Sequence, residues 1–313
     1  MMEKRRIILD CDPGHDDAIA IMLLGAFPEK VELAGITTVA GNQTVDKTFL
    51  NARRVTEYLG VDVPVYRGCE RPMFRSPVLA DDIHGETGLD GFTFRELKRA
   101  PETEHGVLWM LRTLRESAEP VTILATGPMT NLAMALRLEP GIAGKIREIV
   151  FMGGAMGLGN VTPAAEFNMF ADPEAAAIVL SSGCPLVMAG LDVTMQALCS
   201  DETIARMARH GGRAARLFED TMTSYCAVEC KTYNVAAAPL HDPVAAAWLL
   251  HPGLIELNPM RVTVDCTGSE GYGRTYCDYY SKSDSKPNCR VALKLQADDF
   301  WNLIEEAICR YCA

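Results

Sequence analysis

Four acidic side chains lie within eight residues near the amino terminus, in the string DCDPGHDD. They are Asp10, Asp12, Asp16 and Asp17. Carboxylates this close repel one another, so they need a bound cation, a shared proton or full solvation. Oxygen ligands favour hard cations such as Ca²⁺ or Mg²⁺ over zinc. A helix cap or a solvated position is the simpler interpretation of any one of them, but the four together predict a metal site.

The elements around this string predict that its oxygens converge. Asp10 and Asp12 leave a short apolar strand two residues apart, so their side chains point the same way. The Pro-Gly pair that follows predicts a sharp turn. Asp16 and Asp17 then begin a helix, whose N-terminus favours anions.

Short β-branched apolar runs alternate with helical patterns along the chain. The predicted strands are IIL before Asp10 and the runs at 35–39, 63–66, 121–125, 148–152 and 185–190, and the predicted helices are 16–27, 44–59, 104–117, 129–138 and 173–181. This alternation predicts an α/β fold with a doubly wound, mostly parallel sheet flanked by helices. Ligands of such sheets gather at the carboxyl ends of the strands, so chemistry is expected just after each strand.

The pattern changes from about residue 255. Strands at 262–266 and 289–295 and a helix at 298–312 predict a small C-terminal strand and helix extension. No linker divides the chain, so we expect a single domain over residues 1–313.

Composition excludes several classes of protein. The chain has 313 residues, of which 48% are hydrophobic and 23% charged, which argues against a disordered or fibrous protein. Its net charge is -11, so it lacks the basic surface that nucleic acid or an anionic membrane would need. No run is long and apolar enough for a membrane span, and the apolar run directly before Asp10 has only three residues, too few for a signal peptide. A cytoplasmic location is expected.

The 11 cysteines are odd in number and scattered, which fits reduced thiols in a cytosol. Cys309 and Cys312 have zinc-ribbon spacing, and Cys226 and Cys230 lie one helical turn apart. Neither pair has a matching Cys or His pair at a zinc-site distance. We interpret both as structural thiols, with metal binding as the alternative.

Seven motifs follow one another in the order of a known family. They are DCDPGHDD at 10–17, VAGN at 39–42, HGETGLDG at 84–91, ATGPMTNLA at 125–133, IVFMGGA at 149–155, GNVTPAAEFNMFADPEAA at 159–176 and PLHD at 239–242. Over essentially its whole length the chain resembles the nucleoside hydrolases, specifically the inosine-uridine and pyrimidine ribonucleoside hydrolases. The resemblance implies Ca²⁺-dependent hydrolysis of the N-glycosidic bond of a nucleoside, giving ribose and a free base, by a homotetramer.

The resemblance also implies a set of metal ligands. By the family's pattern, the carboxylates of Asp12, Asp17 and Asp242 and the backbone carbonyl of Thr126 hold one Ca²⁺. Asp12 would be the general base that activates a metal-bound water. Asp16 would bind a ribose hydroxyl. Taken alone, Asp242 would be an ordinary helix cap and Thr126 a plain strand end.

Amides and a carboxylate resemble the family's ribose clamp, which comprises Asn42, Asn160, Glu166 and Asn168. Glu166 and Asn168 are two residues apart, so in an extended segment they would project to one side and Phe167 to the other. Without the surrounding motif, a polar surface loop would be the better interpretation of this segment.

The base side of the site is expected to carry two histidines. His241 is assigned as the leaving-group acid and His84 as a base contact, because a histidine can protonate or polarise a departing base. Glu229 and Tyr233 are one helical turn apart and could face the pocket from a mobile helix. Surface exposure is the alternative for Glu229. Met152 and Phe167 are expected to wall the pocket, although Met152 could belong to the core.

Base preference and two rival functions remain open at this point. His241 differs from the tryptophan typical of the purine-specific branch, so uridine or cytidine is the first expected substrate and a broad inosine and uridine specificity the alternative. Glu229 stands where the pyrimidine branch suggests a neutral amide. The rivals are a haloacid-dehalogenase-like phosphatase, which also begins with D-x-D but lacks the Pro-Gly continuation seen here, and a non-catalytic nucleoside or ribose binder.

Overall fold

A computed structural model describes residues 4–268 and 270–312. Its strands are β1 (Arg5–Cys11), β2 (Val31–Thr38), β3 (Val65–Arg67), β4 (Val121–Ala125), β5 (Ile146–Met152), β6 (Leu186–Ala189), β7 (Leu198–Cys199), β8 (Ala238–Pro239), β9 (Ile255–Met260), β10 (Val262–Val264), β11 (Thr275–Cys277) and β12 (Cys289–Leu295). Its α-helices are α1 (His15–Gly25), α2 (Val45–Leu59), α3 (Asp81–His84), α4 (Gly106–Glu116), α5 (Thr130–Leu138), α6 (Phe167–Ala171), α7 (Pro173–Leu180), α8 (Leu191–Thr194), α9 (Asp201–Ala208), α10 (Gly212–Tyr233), α11 (Asp242–Leu250) and α12 (Ala297–Arg310).

The described residues form one main sheet of eight strands in the order β3-β2-β1-β4-β5-β6-β12-β9. Neighbouring strands are parallel from β3 through β12, and β9 runs antiparallel to β12 at the edge. Side chains of β1 alternate between a core on each face of the sheet, with Leu9 in one and Ile8 in the other. The predicted doubly wound α/β fold is therefore confirmed.

The register of the central strands places their carboxyl ends level. Asp10 of β1 pairs with Thr37 of β2 and with Ala125 of β4. Asp12 and Thr126, which follow these strands, therefore leave the sheet side by side. This is the edge at which ligands of parallel sheets bind.

Helix α1 is the most deeply placed helix at this edge. Every residue from His15 to Leu24 is buried, because the helix is apolar on all sides apart from its first turn. It packs against α11, which carries Asp242 at its first position. This packing brings Asp242 to the start of α1 although the two segments are far apart in sequence.

The C-terminal segment completes the main sheet. Strand β12 lies beside β6, and β9, which the sequence did not predict, forms the edge. Its sequence IELNPM contains a proline that an edge strand tolerates and shows no clear alternation. The predicted strand at 262–266 is a short ribbon of β10 with β11 outside the main sheet.

The described residues contain no disulfide bond, and all 11 cysteines are free. Cys226 is buried on α10, whereas Cys309 and Cys312 are exposed at the end of the chain. Among the helices that the structure describes, none has the length and apolar character that crossing a membrane requires.

Asn131 of α5 joins the carboxyl ends of the first two strands. Its amide nitrogen donates to Asp10 Oδ1 at 2.7 Å and to the Thr38 carbonyl at 3.0 Å, and its Oδ1 accepts the Cys69 N–H at 2.8 Å. The side chain is fully buried. Its removal would leave the Cys69 N–H without this partner and would take one of two hydrogen bonds from Asp10 Oδ1 and from the Thr38 carbonyl.

We therefore expect Asn131→Ala to lower the free energy of unfolding by about 3 kcal/mol. Chemical denaturation followed by circular dichroism measures the difference. Asn302→Ala, at an exposed position of α12, is the matched control and should change the value by less than about 0.5 kcal/mol. Equal stability of the two variants would contradict the structural role of Asn131.

Candidate active site

A cavity of about 270 Å³ opens at the carboxyl ends of the central strands. Thirteen of the residues that the sequence singled out line it: Asp16, Asn42, His84, Thr126, Met152, Asn160, Glu166, Phe167, Asn168, Glu229, Tyr233, His241 and Asp242. Asp12 and Asp17 are fully buried and neighbour these lining residues. The structure thus brings together residues that span 230 positions of the chain.

The floor of the site is built around Asp12. Its Oδ2 accepts the Asn42 backbone N–H at 2.7 Å, whereas its Oδ1 is buried with no hydrogen-bond partner among the described residues. Gly41 and Gly127 pack so closely on this carboxylate that a Cβ at either position would collide with it. Glycine at both positions therefore lets the backbone enclose Asp12.

Three further carboxylates lie beside Asp12. Asp16, Asp17 and Asp242 each offer an oxygen within 4.8 Å of the others, and all three are buried. Asp17 accepts hydrogen bonds from Asn42 Nδ2 at 3.1 Å and from Thr126 Oγ1 at 2.8 Å. The metal ligands implied by the family were Asp12, Asp17, Asp242 and the Thr126 carbonyl, so the compact group in the structure contains Asp16 in addition to two of them.

The carboxylates of this cluster resist ionisation. Burial raises the pKa of Asp12, Asp16, Asp17 and Asp242, and repulsion from neighbouring carboxylates adds to it at Asp12, Asp16 and Asp242. Burial also raises the pKa of Asp10 to about 6, although Asn131 and Thr37 hydrogen-bond to it. A cation would remove this penalty, since it pairs with the charges that burial disfavours.

The donor set fits a hard divalent metal ion. It consists of buried carboxylates with one orphaned oxygen on Asp12, and of the Thr126 carbonyl, which now accepts the Asn168 amide at 2.8 Å. All of these are oxygen ligands. No cysteine belongs to a metal-ligand group among the residues that the structure describes.

Glu166 and Asn168 do not lie in an extended segment, so that expectation is wrong. Glu166 is the N-cap of the short helix α6, and its carboxylate accepts the backbone N–H groups of Gly154, Asn168 and Met169 at 2.8 to 3.1 Å. These bonds satisfy the free amides of the helix start. Burial nevertheless raises the pKa of Glu166 to about 7. Asn168 donates to the Thr126 and Met152 carbonyls and so joins α6 to two strand ends.

Asn160 and Met152 complete this wall. Asn160 Oδ1 accepts the Phe167 backbone N–H at 2.9 Å, and the Tyr233 hydroxyl donates to the Asn160 carbonyl at 3.3 Å. Met152 is 4% exposed at the end of β5, with its sulfur 3.5 Å from the Asn168 amide. It therefore belongs both to the core and to the cavity wall.

Three aromatic rings stack on the opposite wall. The ring centroids of His84 and His15 are 5.3 Å apart, and those of His84 and Tyr225 are 5.9 Å apart. His84 Nδ1 accepts the His15 backbone N–H at 3.4 Å, which leaves Nε2 as its other polar atom. Burial lowers the pKa of His84 well below its usual range and that of His15 to about 4. Both rings are therefore neutral at physiological pH.

His241 and Glu229 adjoin these rings. His241 Nδ1 is hydrogen-bonded to Thr194 Oγ1 at 2.8 Å, and burial lowers the pKa of this histidine. Burial raises the pKa of Glu229 to about 7, with added repulsion from Asp16 and Asp82. Tyr233 is 42% exposed at the rim. Glu229 itself is buried, so the alternative of a surface position is wrong.

Sequence reasoning missed several residues of the site. Tyr225 lines the cavity one helical turn before Glu229, and the same spacing that selected Glu229 and Tyr233 could have found it. His15 lies inside the acidic string but was not assigned a role. Thr194, which fixes His241, carries no sequence signal because its partner is 47 residues away.

Comparison with known proteins agrees with the fold and the site. A family model described as inosine-uridine preferring nucleoside hydrolase matches residues 7–302. The pyrimidine-specific ribonucleoside hydrolase RihB of Escherichia coli is 49% identical over 310 residues, which cover 99% of each chain. The protein of the same name from Escherichia fergusonii has the same identity and coverage.

Solved structures of nucleoside hydrolases share the architecture. The purine-preferring ribonucleoside hydrolase from Gardnerella vaginalis has a TM-score of 0.91 at 32% identity and covers 99% of this chain and 100% of its own. The plant nucleoside hydrolase PpNRh1 has a TM-score of 0.89 at 29% identity, over 98% of this chain and 99% of its own. The match spans the strand ends that carry the acidic cluster as well as the helices around them. The chain therefore belongs to the inosine-uridine preferring nucleoside hydrolases and is a hydrolase that acts on N-glycosyl compounds.

Proposed function

We propose that this hydrolase cleaves pyrimidine ribonucleosides, uridine and cytidine, into ribose and free base. The observation that carries the proposal is the single cavity in which a buried carboxylate cluster faces both a wall of amides and a wall of neutral aromatic rings. The amides suit sugar hydroxyls and the rings suit a flat heterocycle. The 49% identity with a pyrimidine-specific hydrolase supports the base preference.

Asp12, Asp17, Asp242 and the Thr126 carbonyl would hold one Ca²⁺, because they supply hard oxygen ligands in a buried place. The bound ion would lower the pKa of a coordinated water and hold the ribose hydroxyls. Asp16, which has an oxygen within 4.8 Å of this cluster, is placed to accept a hydroxyl of the sugar.

Asp12 is the general base of the proposed reaction. Its Oδ1 has no hydrogen-bond partner among the described residues and is free to accept a proton from the attacking water. The Asn42 backbone N–H holds Oδ2 at 2.7 Å and so fixes the direction of Oδ1. The water then adds to the anomeric carbon as the bond to the base breaks.

The remaining polar wall orients ribose. Asn42, Asn160, Glu166 and Asn168 line it, and backbone bonds fix the last two in single positions. Such rigid groups favour the flattened, positively charged sugar of the transition state over the relaxed substrate.

The ring wall receives the base. His241 and His84 assist its departure, and Phe167, Met152 and Tyr233 enclose it together with Glu229. We further propose that the chain is a single domain and acts as a homotetramer in the cytoplasm. The continuous sheet supports one domain, and exposed apolar side chains such as Leu158 and Met195 offer surface for another copy.

Asp12→Asn is expected to lower kcat for uridine by at least about 100-fold, because the amide cannot accept the proton of the attacking water. Ribose release measured with a reducing-sugar assay gives the rate. Unchanged circular dichroism should show that the variant is folded. Asp284→Asn, at an exposed position, is the matched control with full activity. Full turnover by Asp12→Asn would refute the assigned role.

Removal of divalent metal with a chelator is expected to abolish ribose release, and Ca²⁺ should restore it. Because the ion binds only the folded chain, Ca²⁺ at 100 times its Kd should add about 2.7 kcal/mol to the free energy of unfolding. Thermal unfolding with and without Ca²⁺ measures this. Restoration by Mg²⁺ alone would correct the identity of the metal, and full activity after exhaustive chelation would rule out the metal-assisted reaction.

Uridine and cytidine are expected to have kcat/KM values at least about tenfold above inosine, a difference of about 1.4 kcal/mol in transition-state binding. Parallel assays with the three nucleosides and ribose 5-phosphate decide this. Equal values would indicate broad specificity. Binding of uridine without turnover would indicate a nucleoside binder, and phosphate release would indicate a phosphatase.

A further inference from the structure

Glu229 occupies the boundary between two cavities. It lines the active-site cavity and also a neighbouring, mostly apolar cavity of about 610 Å³. Tyr233, His241 and Asn160 share this boundary, and the second cavity is otherwise walled by residues such as Leu191, Met195 and Val235. Glu229 therefore lies between the active-site cavity and an apolar cavity.

The side chain of Glu229 is buried where it borders the active-site cavity. It is 6% exposed, and no described Lys, Arg or His forms an ion pair with it. Two neighbours of Glu229 on the same face of α10 also line this cavity. They are Tyr225, one helical turn earlier, and Thr232, three residues later. A carboxyl group at the cavity wall is within reach of a base bound there and can exchange a proton with it.

We propose that Glu229, in its protonated form, donates a proton to the departing base. This inference rests on the proposed function and deepens it. The carbon–nitrogen bond breaks with its electron pair going to the base, and the Glu229 O–H proton moves to a ring oxygen or nitrogen of that base. The water that adds to the sugar gives its proton to Asp12. After product release, solvent returns a proton to Glu229 and takes one from Asp12, so protons balance.

The surroundings of Glu229 favour the acid form. Burial is the main cause of its pKa of about 7. Repulsion from Asp16 on α1 and Asp82 on α3 raises this pKa further. His241 at the start of α11 is neutral at that pH. On its own helix, burial raises the pKa of Tyr225, Tyr233 and Cys230, so these groups stay neutral. The hydrogen bond with Cys199 lowers the pKa of the Cys226 thiol. No described cation pairs with the carboxylate and stabilises its charge.

His241 and Glu229 differ in their ability to release a proton. His241 is engaged at Nδ1 by Thr194, and burial disfavours its charged form. A neutral histidine can polarise a base by a hydrogen bond, whereas a protonated carboxyl group near its pKa can release a full proton. Two groups with distinct tasks therefore assist departure of the base. Glu229 protonates it, and His241, which we expected from the sequence to be the leaving-group acid, polarises it by a hydrogen bond.

The test compares E229Q with wild type on two ribosides at saturating Ca²⁺. The amide keeps the shape and a hydrogen-bond donor but cannot release a proton, so kcat for uridine should fall about 100-fold. Turnover of 4-nitrophenyl β-D-ribofuranoside should change by less than about threefold, because its leaving group departs as a stable anion. E219Q, the same substitution at an exposed position of α10, should match wild type on both.

The pH profile provides a second readout. Since the acid form is the active one, wild-type kcat for uridine should decline as the pH rises through the pKa of Glu229, near 7. E229Q should lack this decline. An equal loss of turnover of both ribosides by E229Q would indicate a structural effect and overturn the inference. Undiminished turnover of uridine by E229Q would also overturn it. If wild type hydrolyses no nucleoside at all, the proposed function fails and this inference with it.

Discussion

Repulsion among buried carboxylates is the constraint that the rest of the structure accommodates. Asp10, Asp12, Asp16, Asp17 and Asp242 are all at most 5% exposed and close together. Charged groups in such a place are unstable unless they are neutralised or hydrogen-bonded. The fold supplies hydrogen bonds for several of their oxygens from Thr37, Asn131, Asn42 and Thr126. It leaves Asp12 Oδ1 and Asp10 Oδ2 buried without a hydrogen-bond partner among the described residues, and we propose that a cation and a water bind beside Asp12.

The central sheet and helix α1 make this arrangement rigid. The strand ends that carry Asp10 and Thr126 are neighbours in the sheet, and the completely buried α1 cannot shift without disturbing the core on its side. Asn131 adds a cross-connection between two strand ends and a loop. The wall of the cavity that we propose for the sugar is therefore built from rigid elements, as precise positioning of a reacting group requires.

The sequence predicts features formed by neighbouring residues better than contacts between residues that are far apart in the chain. The acidic string and the alternation of strands and helices are continuous in sequence, so spacing alone indicated the metal site and the fold. Asp242 reached the site only through the family resemblance, since its position depends on the packing of α11 against α1. Nothing in the sequence indicated that Glu166 begins a helix. Helix α6 has only five residues, and Glu is a less typical N-cap than Ser or Asp. Thr194, the hydrogen-bond partner of His241, is 47 residues away in the chain, so no local sequence pattern indicates it.

In the proposed reaction, helix α10 carries groups that meet the base, and the groups assigned to the sugar lie on other elements. The groups that we assign to the metal and the sugar lie at strand ends or at the starts of helices that follow them, whereas Tyr225, Glu229 and Tyr233 lie on one face of a single long helix. A substitution on that face changes what the base meets without moving the carboxylate cluster. With this division, an acid at position 229 can alter proton supply to the base while the machinery for the water and the sugar stays the same.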